Sequence, residues 1–305
     1  MRFEPGWPKQ VFLKHVGSIF RMICLRQITN DDLNSVADLL SKGFPRRSRQ
    51  DWLEALNRLA NHATPAGFPR YGYILESQNA PVGVLLLISS TIRTSDSSTV
   101  RSNLSSWYFE PAYRSYAALI VPQVAKRKDI TYLNVSPEKQ TLPILEVQGF
   151  SKYSAGQFVA APVPFAPVSA ARITVFGVSE SPDAHFEPFE RDLLVQHAEY
   201  GCISLWCETS ERAYPFVFRP RIVKGFLPCV QLVYCRDLED FQRFAWPIGR
   251  FMALRGRPMI IVDSNGPISG LLGKYFDGVA PKYFKGPNPP RLGDLAYTEL
   301  AMFGF

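Results

Sequence analysis

The sequence predicts an α/β protein built as two tandem copies of one unit, and three observations carry that expectation. Between Ile23 and Val159 the apolar residues switch between a period of two and a period near 3.6, which orders the elements β, α, α, β, β, β, α, β, α, β. Matching pieces then recur at nearly one spacing. "YGYIL" at Tyr71 pairs with "YGCISL" at Tyr200, "TYLNVS" with Val135 pairs with "MIIVDS" with Val262, and Tyr108 pairs with Tyr234, at offsets of 129, 127 and 126 residues. Between the copies, "QFVAAPVPFAPVSAA", Gln157 to Ala171, is rich in Ala and Pro and reads as an interdomain linker. The expected organisation is an irregular extension over 1–22, a first unit over 23–156, a linker over 157–171 and a second unit over 172–305.

Each element has a local reason. "ICLRQITNDD" alternates apolar and polar residues and ends in a capping cluster at Thr29 and Asn30, so a strand runs into a helix. "LNSVADLLSKGF" and "SRQDWLEALNRLANH" repeat apolar residues at helical spacing. "RYGYILES", a turn at "QNAP" and "VGVLLLISSTI" form a β-hairpin pattern. After a polar stretch rich in Ser and Thr, Asn103 to Phe109 reads as a strand, followed by a Pro-marked turn with Arg114 and a helix that Pro122 kinks or delimits. "ITYLNVS", "TLPILEVQ" and "GFSKYSAGQFVA" supply strand, helix and strand. The second copy repeats the series with "RITVFGVSES", "PFERDLLVQHAEYG", a hairpin around "SERAYP", "CVQLVYC", "LEDFQRFAWPIGRFMALRG" and "PMIIVDS", one early helix short. The remaining tail is rich in Gly and Pro with Lys274, Tyr275, Lys282, Tyr283 and Lys285 interleaved, which predicts a surface loop that is solvated or faces a ligand.

Composition excludes several classes of function. The 305 residues are 46% hydrophobic and 20% charged, enough for two ordinary cores. The net charge of +7 suits an anionic partner, but the cations are dispersed, and clusters such as Arg46, Arg47, Arg49 and Lys126 to Lys128 are short, which argues against nucleic acid. Five scattered cysteines without a C-x-x-C pair, and four histidines away from one another, argue against disulfides and a metal site. The first 22 residues are too polar for a membrane span or a secretory leader, so a cytoplasmic location is expected. No G-x-S-x-G, G-x-x-x-x-G-K-[ST] or H-E-x-x-H pattern occurs.

"FEPAYRSYA" and "ILEVQGFSKY", set in that element order, resemble the GCN5-related N-acetyltransferase superfamily over roughly Ile23 to Val159. The resemblance implies a mixed twisted sheet flanked by helices in each copy. It also implies a small-molecule acyl donor, acetyl-CoA or another acyl-CoA, whose acyl group passes to an amine or hydroxyl of an unidentified acceptor. The donor's pyrophosphate would lie at a helix N-terminus, where unpaired N–H groups and the dipole favour anions. That places cofactor binding on Trp107, Phe109, Arg114, Ser115, Tyr116 and Ala117.

The sequence departs from the superfamily pattern, which is Gln or Arg, two residues, Gly, one residue, then Gly or Ala. Arg114 is present, Ala117 stands for the first Gly, and Leu119 stands where a second small residue belongs. The Tyr that would protonate the leaving thiolate is matched by Leu145, and the frequent Asn before it by Glu138. Tyr108 and Glu110 are the substitute catalytic candidates, with Tyr113 and Tyr116 behind them. Against that role, a Tyr on a strand commonly serves as packing and Glu110 as a strand-end surface carboxylate. In the second copy the same turn reads "CRDLEDFQ", whose acids suit a helix start and repel a pyrophosphate. Two functions therefore stand side by side: an acyl-CoA-dependent acyltransferase, and a tandem fold retained for binding or scaffolding without catalysis.

Overall fold

The computed structural model describes residues 10–13, 23–93, 97–161, 172–175, 186–210 and 212–304. The first unit contains strands β1 (Gln10–Leu13), β2 (Ile23–Gln27), β3 (Gly72–Ser77), β4 (Ala80–Arg93), β5 (Ser98–Phe109), β6 (Thr131–Asn134) and β7 (Ser151–Ala160). Its helices are α1 (Leu33–Gly43), α2 (Arg49–Asn61), α3 (Ala117–Val124) and α4 (Leu142–Val147). The second unit contains β8 (Arg172–Val175), β9 (Ile203–Glu208), β10 (Ala213–Val223), β11 (Leu227–Tyr234), β12 (Met259–Ser264) and β13 (Gly273–Lys285), with α5 (Pro188–Glu199), α6 (Leu238–Ala253) and α7 (Glu299–Met302). Among the described residues no helix is long and apolar enough to cross a membrane.

Local chemistry sets most of these elements. Ser48 accepts from the Asp51 amide and donates its own amide back to the Asp51 carboxylate, a reciprocal cap that starts α2. Asp237 accepts from the Asp240 amide, a one-way cap that starts α6. The β3–β4 hairpin turns at Gln78 and Asn79, both with positive φ, as a two-residue turn between twisted strands requires. The polar run before Asn103 is strand, because its side chains find partners: the Ser89 and Ser102 hydroxyls meet at 2.8 Å, and Arg101 forms a buried ion pair with Asp294 at 2.9 Å. β5 accordingly begins at Ser98, five residues before the expected start.

The thirteen strands form one mixed sheet in the order β1-β2-β3-β4-β5-β6-β13-β7-β12-β11-β10-β9-β8. β5 pairs with β6, and β11 with β12, in parallel; every other strand pairing among the described residues is antiparallel. The two units exchange their last strands. β13, from the end of the chain, pairs with β6 of the first unit, while β7 of the first unit pairs with β12 of the second. β7 and β13 also pair with each other and so form the seam. Accordingly Tyr283 of β13 packs in the core beneath α3 and α4, and Phe158 of β7 packs in the core beneath α6. Burying Phe158 alone stabilises by roughly 1.5–3 kcal/mol.

Two sequence expectations change here. The Gly- and Pro-rich tail is a central strand over Gly273–Lys285 where a surface loop was expected. Lys282 is fully buried, and its ammonium donates to Asp263 at 2.8 Å, so a residue type that normally signals solvent is a core ion pair. The glycines serve close packing: a Cβ at Gly156 would lie 2.2 Å from the Phe276 carbonyl, and one at Gly273 would lie 2.3 Å from that of Val159. The second change concerns Gln157 to Ala160, which complete β7, so the stretch read as linker is strand at its start. Residues 162–171 lie outside the described residues, as do 1–9 and 14–22 of the N-terminal stretch, whose residues 10–13 pair with β2.

Candidate active site

β5 and β6 are hydrogen-bonded neighbours only from Arg101↔Thr131 to Asn103↔Leu133. Beyond that point they diverge. β5 carries a bulge, where its register against β4 shifts and Ser106 adopts a φ of 45°. The divergence opens a cavity of about 870 Å³, lined on β5 by Leu104 to Trp107 and past the end of β6 by Ser136 to Glu138. Phe44, Arg47 and Trp52 of the α1–α2 layer form another wall, and Arg219 and Arg221 of β10 another. That volume lies in the range of small-molecule sites.

A carboxylate closes the inner end. Glu299, the first residue of α7, is 7% exposed and lines the cavity. Its two oxygens accept from Asn103 Nδ2 on β5 and from Ser136 Oγ, the latter at 2.5 Å, so it bridges the two strands where they part. Burial raises the Glu299 pKa above the usual carboxylate range, against the pull of these two donors. Asn103 Oδ1 is buried without a partner, an acceptor adjacent to the carboxylate. A base with a raised pKa beside an unsatisfied acceptor can take a proton from one N–H and orient another.

The basic wall is partly uncompensated. Arg219 is 6% exposed, its Nη1 donates to the Leu300 carbonyl at 2.7 Å, and its Nε has no partner. Among the described residues no carboxylate lies within ion-pair distance of Arg219 or Arg221. Burial, and secondly the neighbouring Arg221 charge, push the Arg219 pKa down to about 10.

Of the residues expected to form the site, only Trp107 lines this cavity. Tyr108 is half-buried against α1, where a Cβ on Gly43 would meet its ring at 2.4 Å, and it packs with the α1–α2 layer. Glu110 pairs with exposed Lys42 at 3.2 Å. Phe109 and Tyr116 are buried in the core beneath α3 and α4, with Tyr113 and Ala117 packed against it. Arg114 and Ser115 are exposed. The turn itself is a 3-10 helix over Pro111–Tyr116 in which the Tyr113 amide bonds the Glu110 carbonyl and the Ala117 amide bonds that of Arg114. Of the N–H groups expected to face an anion, that of Ala117 is thus committed. Leu119 points to solvent at 54% exposure, and Leu145 is fully buried core. Sequence reasoning missed Glu299 and Arg219. The available signal for Glu299 was a Thr-Glu helix start in a tail that otherwise holds just Asp277 and Asp294 as acids.

The second unit repeats the divergence and fills it. β11 and β12 pair in parallel only from Cys229↔Met259 to Gln231↔Ile261. The freed edge of β11 is then taken by the chain's own tail: the Leu295 amide bonds the Val233 carbonyl at 2.7 Å, the Cys235 amide bonds that of Gly293 at 3.0 Å, and Tyr234 bridges Asp294. A second cavity of about 840 Å³ beside this plug contains two ion-paired groups, Arg236 with Glu190 at 2.6 Å and Asp294 with Arg101.

A mixed sheet that splits between two parallel strands, with a helix after the first of them, twice in one chain, defines a tandem GCN5-related N-acetyltransferase fold. Solved structures bear out that architecture. A candidate acetyltransferase from Pyrococcus horikoshii superposes with a TM-score of 0.55 at 12% identity, over 93% of this chain and 96% of its own. GCN5-related N-acetyltransferases from Anabaena variabilis and Kribbella flavida give TM-scores of 0.57 and 0.53 at 8% and 11% identity. They cover 86% and 87% of this chain and 72% and 71% of theirs. No family model matches the sequence, and no curated protein matches it.

Proposed function

We propose that the protein is an acyl-CoA-dependent acyltransferase whose reaction takes place in the β5–β6 cavity, with Glu299 as general base. The observation that carries this reading is the buried carboxylate held across the point where the parallel strands part. The donor's acyl thioester enters the split beside Trp107, and the free edge of β5 past Asn103 offers backbone groups to its pantetheine amides. The remaining part of the donor lies on the α3 side, where Arg114, Ser115 and the start of α3 meet its phosphates; Tyr116 and Ala117 support that turn by packing. An acceptor amine attacks the thioester carbonyl carbon, the C–N bond forms as the C–S bond breaks, and CoA leaves as a thiolate. The amine proton passes to the Glu299 carboxylate, and a solvent proton neutralises the thiolate. Positioning and proton removal are what these residues contribute.

Glu299→Gln keeps the size of the side chain and one oxygen to accept from Asn103, its new amide N–H can donate to Ser136 Oγ, and the base is removed. The turnover number is expected to fall by roughly 10²–10⁴-fold, the usual worth of a positioned base, while acyl-CoA affinity measured by calorimetry changes little. The wild-type rate should rise with pH through the raised Glu299 pKa, a limb that the variant lacks. Thiol release from acetyl-CoA and longer acyl-CoAs is the assay. A rate within twofold of wild type in Glu299→Gln removes the assigned base, and no acyl-CoA binding at millimolar concentration removes the whole reading. Binding without turnover in the wild-type protein would favour a non-catalytic tandem fold.

A further inference from the structure

Five arginines, Arg47, Arg219, Arg221, Arg255 and Arg257, line the β5–β6 cavity against two carboxylates, Glu138 and Glu299. Such an excess is costly unless something neutralises it, most of all at Arg219, which is buried with an unpartnered Nε. Arg221 spends one nitrogen on the neutral Gln231 Oε1 at 3.1 Å, and Arg47 lies over the Trp52 ring at 5.3 Å within the field of Glu299 and Asp51. In the second cavity, by contrast, Arg236 is neutralised by Glu190.

We infer that the acceptor is a small amine or alcohol carrying an oxyanion, a carboxylate or a phosphate, which Arg219 and Arg221 bind deep in the cavity with Arg47, Arg255 and Arg257 around it. The inference deepens the acyl-transfer reading and rests on it. Geometry assigns the anion to the acceptor and not to the donor's phosphates. Phe44 and Trp52, the wall next to Arg47, belong to the α1–α2 layer on one face of the sheet. The Pro111–Tyr116 turn and α3 belong to the core on the opposite face. A donor whose phosphates lie by α3 leaves the arginine wall to the second substrate. Arg219 also holds the Leu300 carbonyl, one residue from Glu299, so an anion seated on Arg219 brings its nucleophile near the base.

The test compares matched pairs on the full chain. α-Amino acids are set against their amides, and O-phosphoethanolamine against ethanolamine, first by calorimetry without any acyl donor and then by thiol release with acetyl-CoA. The anionic member of at least one pair is expected to bind tenfold or more tightly. That preference should drop roughly 10- to 100-fold in Arg219→Met and in Arg221→Gln, as loss of a charge-assisted pair predicts. The two arms decide between carboxylate and phosphate. Because Arg219→Met removes a bond to the tail, the half-buried Arg221→Gln keeps the test open if the first variant fails to fold. Equal binding of neutral and anionic members, no binding of any oxyanion at millimolar concentration, or a preference that survives both variants overturns the inference. So does selective loss of adenosine 3′,5′-bisphosphate binding in the variants, which would give the arginines to the donor. Anion selectivity without thiol release sinks the acyl transfer alone; thiol release indifferent to acceptor charge sinks the inference alone.

Discussion

Lys282→Met tests whether the exchanged strands hold the two units as one cooperative body. Lys282 of β13 donates to Asp263 of β12 at 2.8 Å and to the Ala280 carbonyl at 3.1 Å. Gln157 of β7 donates to the same carboxylate oxygen at 3.1 Å, while Asp263 Oδ2 has no partner. Two unit charges at that separation attract by about 6 kcal/mol at an effective dielectric constant near 20, and desolvation of both ions offsets much of this. Removing the ammonium alone leaves a 3%-exposed carboxylate with one neutral donor, and the expected loss is about 3–5 kcal/mol. Adding Asp263→Leu removes the stranded charge and should recover a large part of it. Urea denaturation followed by tryptophan fluorescence and far-ultraviolet circular dichroism is the measurement. Both probes should move together, because β13 places Tyr283 in the first core and Tyr275 against the second, where β7 contributes Phe158. A loss below about 1 kcal/mol for Lys282→Met, or two separate transitions in the wild-type protein, refutes the reasoning.

Two other expectations concern stability. Burial holds the His197 pKa down at about 4; the ring lies 2.8 Å from the Leu193 carbonyl and accepts the Tyr297 amide at 3.2 Å, which suits the neutral form. The folded pKa is below the unfolded value, so this contribution is complete above about pH 6.5 and is lost as pH falls toward 4, a total of about 3 kcal/mol. His62, also lowered by burial, acts with the same sign. Melting curves between pH 7.5 and 4 should show the decline, shallower in His197→Leu, and a flat profile contradicts it. In Gly156→Ala the new Cβ meets the Phe276 carbonyl of the β7–β13 ladder, so a loss of about 1–3 kcal/mol is expected; an unchanged denaturation midpoint would show that the seam is looser than its geometry.

Much of the architecture was legible because it rests on local patterns. Helices α1 and α2 bury Val36, Leu39 and Leu40, and Trp52, Leu56 and Leu59, as their spacing requires. The repeat offsets located the paired parallel strands of both units. What was not legible depends on distant contacts. β13 is a strand because β6 and β7 present free edges to it, and no property of "GKYFDGVAPKYFK" alone shows that Lys282 will meet Asp263. The candidate site failed to show for the same reason. Glu299 reaches Asn103 and Ser136 across 196 and 163 residues, whereas the motif residues Tyr108, Glu110 and Arg114 to Ala117 were read from the neighbourhood of one turn.

One tail segment accounts for the difference between the two splits. Residues 293–295 bond to the freed edge of β11 and close the second unit's opening, and Asp294 within them neutralises Arg101 on β5. Burial disfavours the Asp294 charge, yet Arg101 and Arg291 more than offset this and hold its pKa at about 2, so the tie persists at any pH where the fold survives. Thr298 then fixes the start of α7 through its bond to the Leu295 carbonyl at 2.7 Å, and Glu299 follows directly into the first unit's opening. Closing one split and placing a base in the other are therefore consequences of a single chain path. A duplicated fold with two equivalent openings becomes, through residues 293–299, a protein with one filled opening and one furnished with a carboxylate and the unpartnered Arg219 Nε.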